Sequence, residues 1–291
     1  MEISDFVFEK RGPSSIWIDP KYATPSNLDL LADPDRLFGR PDCEIIKDQN
    51  KIKVGRLKLN LNQEIRALYL KRYNAFSCRY KLTSLFVESG AIRSLRGAAI
   101  LRQANIARAH PLAAIETRCQ GMLVNSFFLS EEISEGKTAD AYWRDNLLTL
   151  TGHHSYRRRR SFLKGLAALF ASLHAQRIYH NDLKDANILI VPNNLASAES
   201  FFLLDLEGVR RYSHLSQRRR IKNLVQLNRT LGKYLRRTEG LFFLKCYLGS
   251  EFPDRRHKSD WITKVIDQSR RLDRRKMAEH RGMESGTARG A

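Results

Sequence analysis

Between residues 44 and 73 the chain alternates apolar and polar side chains in strand-like runs at 44–47, 51–61 and 64–73. Polar turns at 48–50 and 62–63 separate them, so an antiparallel meander is predicted. Residues 92–107 hold no proline and one glycine, Gly97, and read as a helix. Two further strands follow at 111–117 and 122–129, joined at Gln120-Gly121. Past Ser130 the period changes to that of helices, predicted at 138–150 and 155–176. In the second, Phe162, Leu163, Leu166, Leu169, Phe170 and Leu173 make an apolar face, with Arg157–Arg160 at its exposed start. Short strands are predicted at 188–191 and 201–204, and helices from Gln217 onward. The fold class is α+β, strand-rich first and mainly helical afterwards. Residues 1–42, broken by prolines at 13, 20, 25, 34 and 41, read as an irregular arm. The remaining divisions are a strand lobe at 43–132, a helical lobe at 133–280, and a small, polar tail at 281–291 expected to fray.

The segment at 180–190, HNDLKDANILI, matches H-x-D-L-x-x-x-N, the spacing of a kinase catalytic loop. Phosphoryl transfer needs a carboxylate to accept the proton of the attacking hydroxyl, and an amide oxygen to help hold the metal that neutralises the phosphates. Asp182 and Asn187 supply these groups, and 188–190 supply the strand that follows. The pattern requires a second metal carboxylate after another apolar strand. Asp205, in FFLLDLEG at 201–208, stands there. A lysine on an earlier strand should meet the nucleotide phosphates; Lys71 is the candidate and Lys58 the reserve. Two parts of the pattern are missing. Gly55 is isolated, so no G-x-G-x-x-G cradles phosphate, and 92–107 contains no glutamate to pair with Lys71. Glu88, just before that helix, is the substitute at hand. These gaps leave open a non-catalytic, membrane- or partner-binding pseudokinase and a kinase-fold enzyme acting on a protein or small-molecule acceptor.

HNDLKDANILI, FFLLDLEGV and RRRIKNLVQLNRTL together resemble the lipopolysaccharide core kinases of the Kdo/WaaP type, over roughly residues 45–250. The resemblance implies a two-lobed, protein-kinase-like fold. It also implies ATP-dependent phosphorylation of a Kdo or heptose hydroxyl in the inner core of lipopolysaccharide. In that reading Asp182 is the base, Asn187 and Asp205 hold Mg2+, and Lys71 meets the α/β-phosphates of ATP. Glu207 would assist the metal or the acceptor, or simply face solvent. His180 would be a structural hydrogen-bonder, and backbone groups at 130–132 would meet adenine.

Charge adds to this picture. Lys and Arg number 51 against 31 Asp and Glu, a formal +20. Such a field attracts anions and fits an anionic acceptor made at an anionic membrane surface, with Arg157–Arg160, Arg210, Arg211 and Arg218–Arg220 as candidate contacts. No zinc spacing or aromatic recognition strand supports specific nucleic-acid binding. Trp261, Ile262, Val265, Ile266 and Leu272 form an apolar stripe among basic residues, fitting either a membrane-surface helix or a helix packed on its own domain. The four cysteines form no C-x-x-C pair and read as reduced thiols. The start, MEISDFVFEK, is not a signal peptide, and no run is long and apolar enough for a membrane span. A cytoplasmic protein, peripheral on the inner face of the inner membrane, is expected. Oligomeric state leaves no trace in the sequence.

Overall fold

The computed structural model describes residues 5–74, 83–193 and 198–287. The chain divides into two compact units, one of Met1–Glu135 with Phe202–Arg210, the other of Gly136–Phe201 with Arg211–Ala291. The segment carrying Asp205 therefore returns to the first unit, although its place in the sequence puts it with the helical lobe.

The first unit is built on seven strands: β1 (Val7–Arg11), β2 (Ser14–Ile18), β3 (Glu44–Gln49), β4 (Ile52–Leu61), β5 (Glu64–Asn74), β6 (Pro111–Cys119) and β7 (Met122–Glu131). Their order is β1-β2-β6-β7-β5-β4-β3, every neighbour antiparallel. Hairpins β4–β5 and β6–β7 turn on Asn62-Gln63 and Gln120-Gly121, whose φ angles are all positive. Turns of that hand match the twist of the strands they join. Asn62 Nδ2 also donates to the Lys21 carbonyl, which ties the turn to the chain before it.

The irregular arm expected at 1–42 is instead ordered secondary structure. β1 and β2 extend the sheet, and α1 (Pro25–Leu31) follows. Ile16, Ile18, Tyr22, Leu28, Leu31 and Leu37 share a core with Leu57, Leu59, Leu68, Leu70, Ile115, Phe127 and Leu129 of the sheet. The prolines misled because they start elements here. Pro20, Pro25 and Pro34 each stand in the first turn of a helix or 3-10 turn. There the missing N–H costs nothing and the fixed φ is preorganised. Also in this unit, α2 (Gly90–Gln103) is capped by Ser89 Oγ, which accepts from the Ile92 amide. It ends short of residue 107 because Asn105 adopts φ 53°.

In the second unit, the helix expected at 138–150 is a short strand, β8 (Lys137–Thr138), one helical turn (Ala139–Tyr142) and a π turn (Trp143–Leu147). Trp143 and Leu147 are both fully buried, and Trp143 packs on Phe162 with ring centres 5.5 Å apart. α3 (Gly152–Ala175) buries Phe162, Leu163, Leu166, Phe170 and Leu173 completely. It leads through β9 (Ile178–His180) into the 181–187 loop and β10 (Ile188–Asn193), which pairs with β8. β11 (Ala198–Leu203) then carries the chain out of this unit. α4 (Gln217–Arg229), α5 (Arg237–Leu248) and α6 (Arg255–Thr287) complete it. α6 packs on α4 through fully buried Trp261, an Asn228–Ser269 hydrogen bond of 2.9 Å and an Arg229–Asp273 ion pair of 2.8 Å. Ile266 and Leu272 of the same stripe remain exposed. The fraying expected from 281 gives way to helix as far as Thr287. The residues before it are proline-free and rich in Arg and Lys, which propagate a helix already begun.

Candidate active site

In the first unit, β5 presents Lys71 and the turn after β11 presents Asp205; Lys71 Nζ donates to Asp205 Oδ1 at 2.6 Å. Lys58, the reserve candidate, lies on an exposed position of β4. Burial works against the Lys71 charge, but Tyr73, Asp205 and Glu207 outweigh it, so its pKa lies above the ordinary lysine value. Tyr73 is itself pushed up to about 12, chiefly by burial. It therefore meets the ammonium as a neutral ring, with its centre 4.8 Å from Nζ. Its hydroxyl shares a 2.7 Å hydrogen bond with Ser94 of α2.

Asp205 adopts φ 54°, ψ 54°, left-handed backbone that is unusual for a side chain bearing Cβ. Strain of this kind persists where the surroundings hold it, and it gathers at functional sites. Glu207, two residues on, pairs with Arg93 of α2. Glu88 pairs with Arg96, so the acid suggested as the Lys71 partner is engaged elsewhere. Gly55 is not a phosphate cradle. It is buried in β4, where an added Cβ would lie 2.8 Å from Cys43 Sγ and 3.1 Å from the Phe38 ring. At 130–132, the amides of Glu131 and Glu132 already donate to the carbonyls of His110 and Ala67.

In the second unit, the 181–187 loop brings Asp182 and Asn187 together. Asn187 Nδ2 donates to the Asp182 carbonyl at 2.7 Å and to its Oδ2 at 3.1 Å. With the amide nitrogen so engaged, the Asn187 oxygen is the atom offered to a cation. Lys184 Nζ lies 2.7 Å from Asp182 Oδ2. Fully buried His180 accepts from the Asp182 amide through Nδ1 at 3.2 Å. Asp185 is also buried, and its carboxyl pKa is raised by that burial.

The loop backbone is held from α4. Asn223 Nδ2 donates to the His180 carbonyl (2.6 Å) and Gln226 Nε2 to the Asn181 carbonyl (2.6 Å), while Gln226 Oε1 accepts from the Leu183 amide (3.0 Å). Behind Asn223 runs a chain with one consistent direction. Arg220 Nε donates to the Tyr247 oxygen (2.7 Å), the Tyr247 hydroxyl to His174 Nδ1 (2.8 Å), and His174 Nε2–H to Asn223 Oδ1 (3.2 Å). This chain needs a neutral His174, and burial lowers its pKa to about 4. Lys184, Arg93, Tyr73, Ser94, His174, Asn223 and Gln226 were not among the residues nominated from sequence. Lys184 lies inside the loop motif, and Asn223 and Gln226 lie inside the RRRIKNLVQLNRTL segment.

Asp205 in the first unit and Asn187 in the second each carry a hard oxygen donor, the type that suits Mg2+. Among the described residues no cluster of three or more His, Cys, Asp or Glu gathers for a metal. Nucleotide-bound Mg2+ commonly takes only one or two protein carboxylates and completes its shell with phosphates and water, so a lone carboxylate such as Asp205 fits it.

The family model for lipopolysaccharide kinases (Kdo/WaaP) matches residues 44–247. The chain belongs to this family. Kdo/WaaP proteins are kinases, and the protein is accordingly a phosphotransferase that uses ATP. No curated protein sequence matches it. A solved structure described as "WaaP in complex with acyl carrier protein" shares its fold with a TM-score of 0.63 and 17% identity, over 88% of this chain and 98% of that one. The α+β, kinase-like fold read from the sequence is thus the fold of the family.

Proposed function

We propose that the protein transfers the γ-phosphoryl group of ATP to a sugar hydroxyl, of Kdo or heptose, in the inner core of lipopolysaccharide. The observation that carries this is the 181–187 loop: one carboxylate, Asp182, steadied by Lys184 and by Asn187, in a chain matched by the Kdo/WaaP model. Asp182 accepts the proton as the sugar oxygen bonds to the γ-phosphorus and the bond to the β–γ bridging oxygen breaks, leaving ADP. Lys184 and Asn187 hold the carboxylate in place for that transfer. Lys71 would contact the α/β-phosphates, and Asn187 and Asp205 would hold Mg2+, which would neutralise charge on the phosphates. The +20 charge draws the protein to anionic lipopolysaccharide and to the anionic cytoplasmic face of the inner membrane, where it acts as a peripheral protein.

The test is incubation with γ-labelled ATP and purified inner-core lipopolysaccharide, with the phosphate located by mass spectrometry. Labelled sugar is expected, and Asp182→Asn should lower turnover about 10²–10⁴-fold. Label on protein alone would overturn the sugar acceptor. Equal turnover by wild type and variant would remove Asp182 as the base.

A further inference from the structure

A strand lysine that meets phosphates needs something to hold it and the metal aspartate in register. The expected device, a glutamate on the adjoining helix, is absent from α2, whose sequence GAIRSLRGAAILRQ has arginines and no acid. Two of those arginines pair at the surface, Arg96 with Glu88 and Arg102 with Asp5, each about half exposed. Arg93 does not. Its side chain is 19% exposed and meets Glu207, 26% exposed, in the turn that begins at Asp205.

The same helix touches that turn again at Gly97, where a Cβ would overlap the Leu206 carbonyl. It is fastened equally to the strand of Lys71. Ser94 bonds Tyr73, and the Tyr73 ring lies where a Cβ on Gly90 would stand. α2 thus binds the lysine strand through Tyr73 and the aspartate turn through Glu207, with Lys71 and Asp205 closing the circuit at 2.6 Å.

We infer that Arg93 and Glu207 form the positioning pair of the nucleotide-binding half-site, doing the work of a helix-glutamate–strand-lysine pair with the charges exchanged between helix and turn. Glu207 acts by fixing the left-handed Asp205, so that its carboxylate faces Lys71 and a nucleotide-bound cation. This role rests on the kinase reading above.

The full-length protein carrying Arg93→Ala, Glu207→Ala, both changes, or the exchange R93E/E207R is to be compared with wild type by two readouts. Amide hydrogen exchange reads the order of the 203–208 segment without nucleotide, and calorimetry reads Mg2+-ATP binding. Each single change is expected to speed exchange in 203–208 and to weaken Mg2+-ATP binding about 10-fold, the double change no more than either alone, and the exchange variant recovering to within about 3-fold of wild type. If a single change unfolds the protein, Arg93→Lys, which keeps the charge, should retain both properties within that same margin. Additive losses, no recovery in the exchanged pair, or faster exchange with unchanged Mg2+-ATP affinity would each overturn the inference. Wild-type protein that binds no nucleotide would overturn the kinase reading instead, while the exchange data still decide whether the pair orders the turn.

Discussion

One methyl group at Gly97 would intrude on the Leu206 carbonyl, and backbone cannot step aside as a flexible side chain can. Gly97→Ala is therefore expected to cost about 1–3 kcal/mol in urea unfolding, as overpacking usually does. It should also weaken Mg2+-ATP binding, because the displaced turn carries Asp205. Lys71→Met should nearly abolish turnover, since a thioether fills the volume but gives Asp205 and the phosphates no cation. Asp182, Asn187 and Asp205 could be nominated from sequence because loop, strand and second acid stand in a set order, and Lys71 by its place on a strand. The partner of Arg93 could not, because it lies 114 positions away and nothing local marks it. In sequence Gly97 is simply the one glycine of the helix predicted at 92–107, and the approaching carbonyl explains it.

Among the elements, α4 governs the 181–187 loop. Asn223→Ala removes the donor to the His180 carbonyl and the acceptor for His174 together, leaving buried polar groups unpaired. A loss of about 1–3 kcal/mol in stability is expected, with turnover falling more than ATP affinity, since the change lies on the Asp182 side. His174 also makes stability depend on pH. Its pKa is about 4 when folded, against 6.5 ordinarily, so the unfolded chain takes up the proton first as pH falls. The stabilising contribution is complete above about pH 6.5 and is lost progressively toward pH 4, amounting to about 3 kcal/mol at most. The gap in unfolding free energy between wild type and His174→Gln should narrow by that amount from pH 7 to pH 4. α3 was legible from its apolar period. The N-terminal elements were not, because proline marks both loops and helix starts. The π turn was hidden because its i to i+5 hydrogen bond, from the Leu148 amide to the Trp143 carbonyl, leaves no mark in the apolar spacing: Trp143 and Leu147 stand four apart, as on one face of any helix.

For the molecule as a whole, the formal +20 charge is the basis of the proposed membrane association. Vesicles rich in anionic lipid should retain the protein at low salt and release it as ionic strength rises, while neutral vesicles should not bind it in a sedimentation assay. No helix among the described residues is long and apolar enough to cross a membrane. The sequence indicated the class of each half correctly. It did not indicate that residues 202–210 rejoin the first unit, because the strand before them is continuous with the second. That return has a practical consequence for protein engineering. A fragment cut after Glu135 would keep the whole seven-stranded sheet, yet it would lack Asp205, Leu206 and Glu207. Lys71 and Arg93 would each lose the carboxylate they pair with, leaving an open notch at Gly97. The first unit is thus not separable by truncation. A synthetic peptide of residues 202–210 added in trans is the minimal complement for such a fragment.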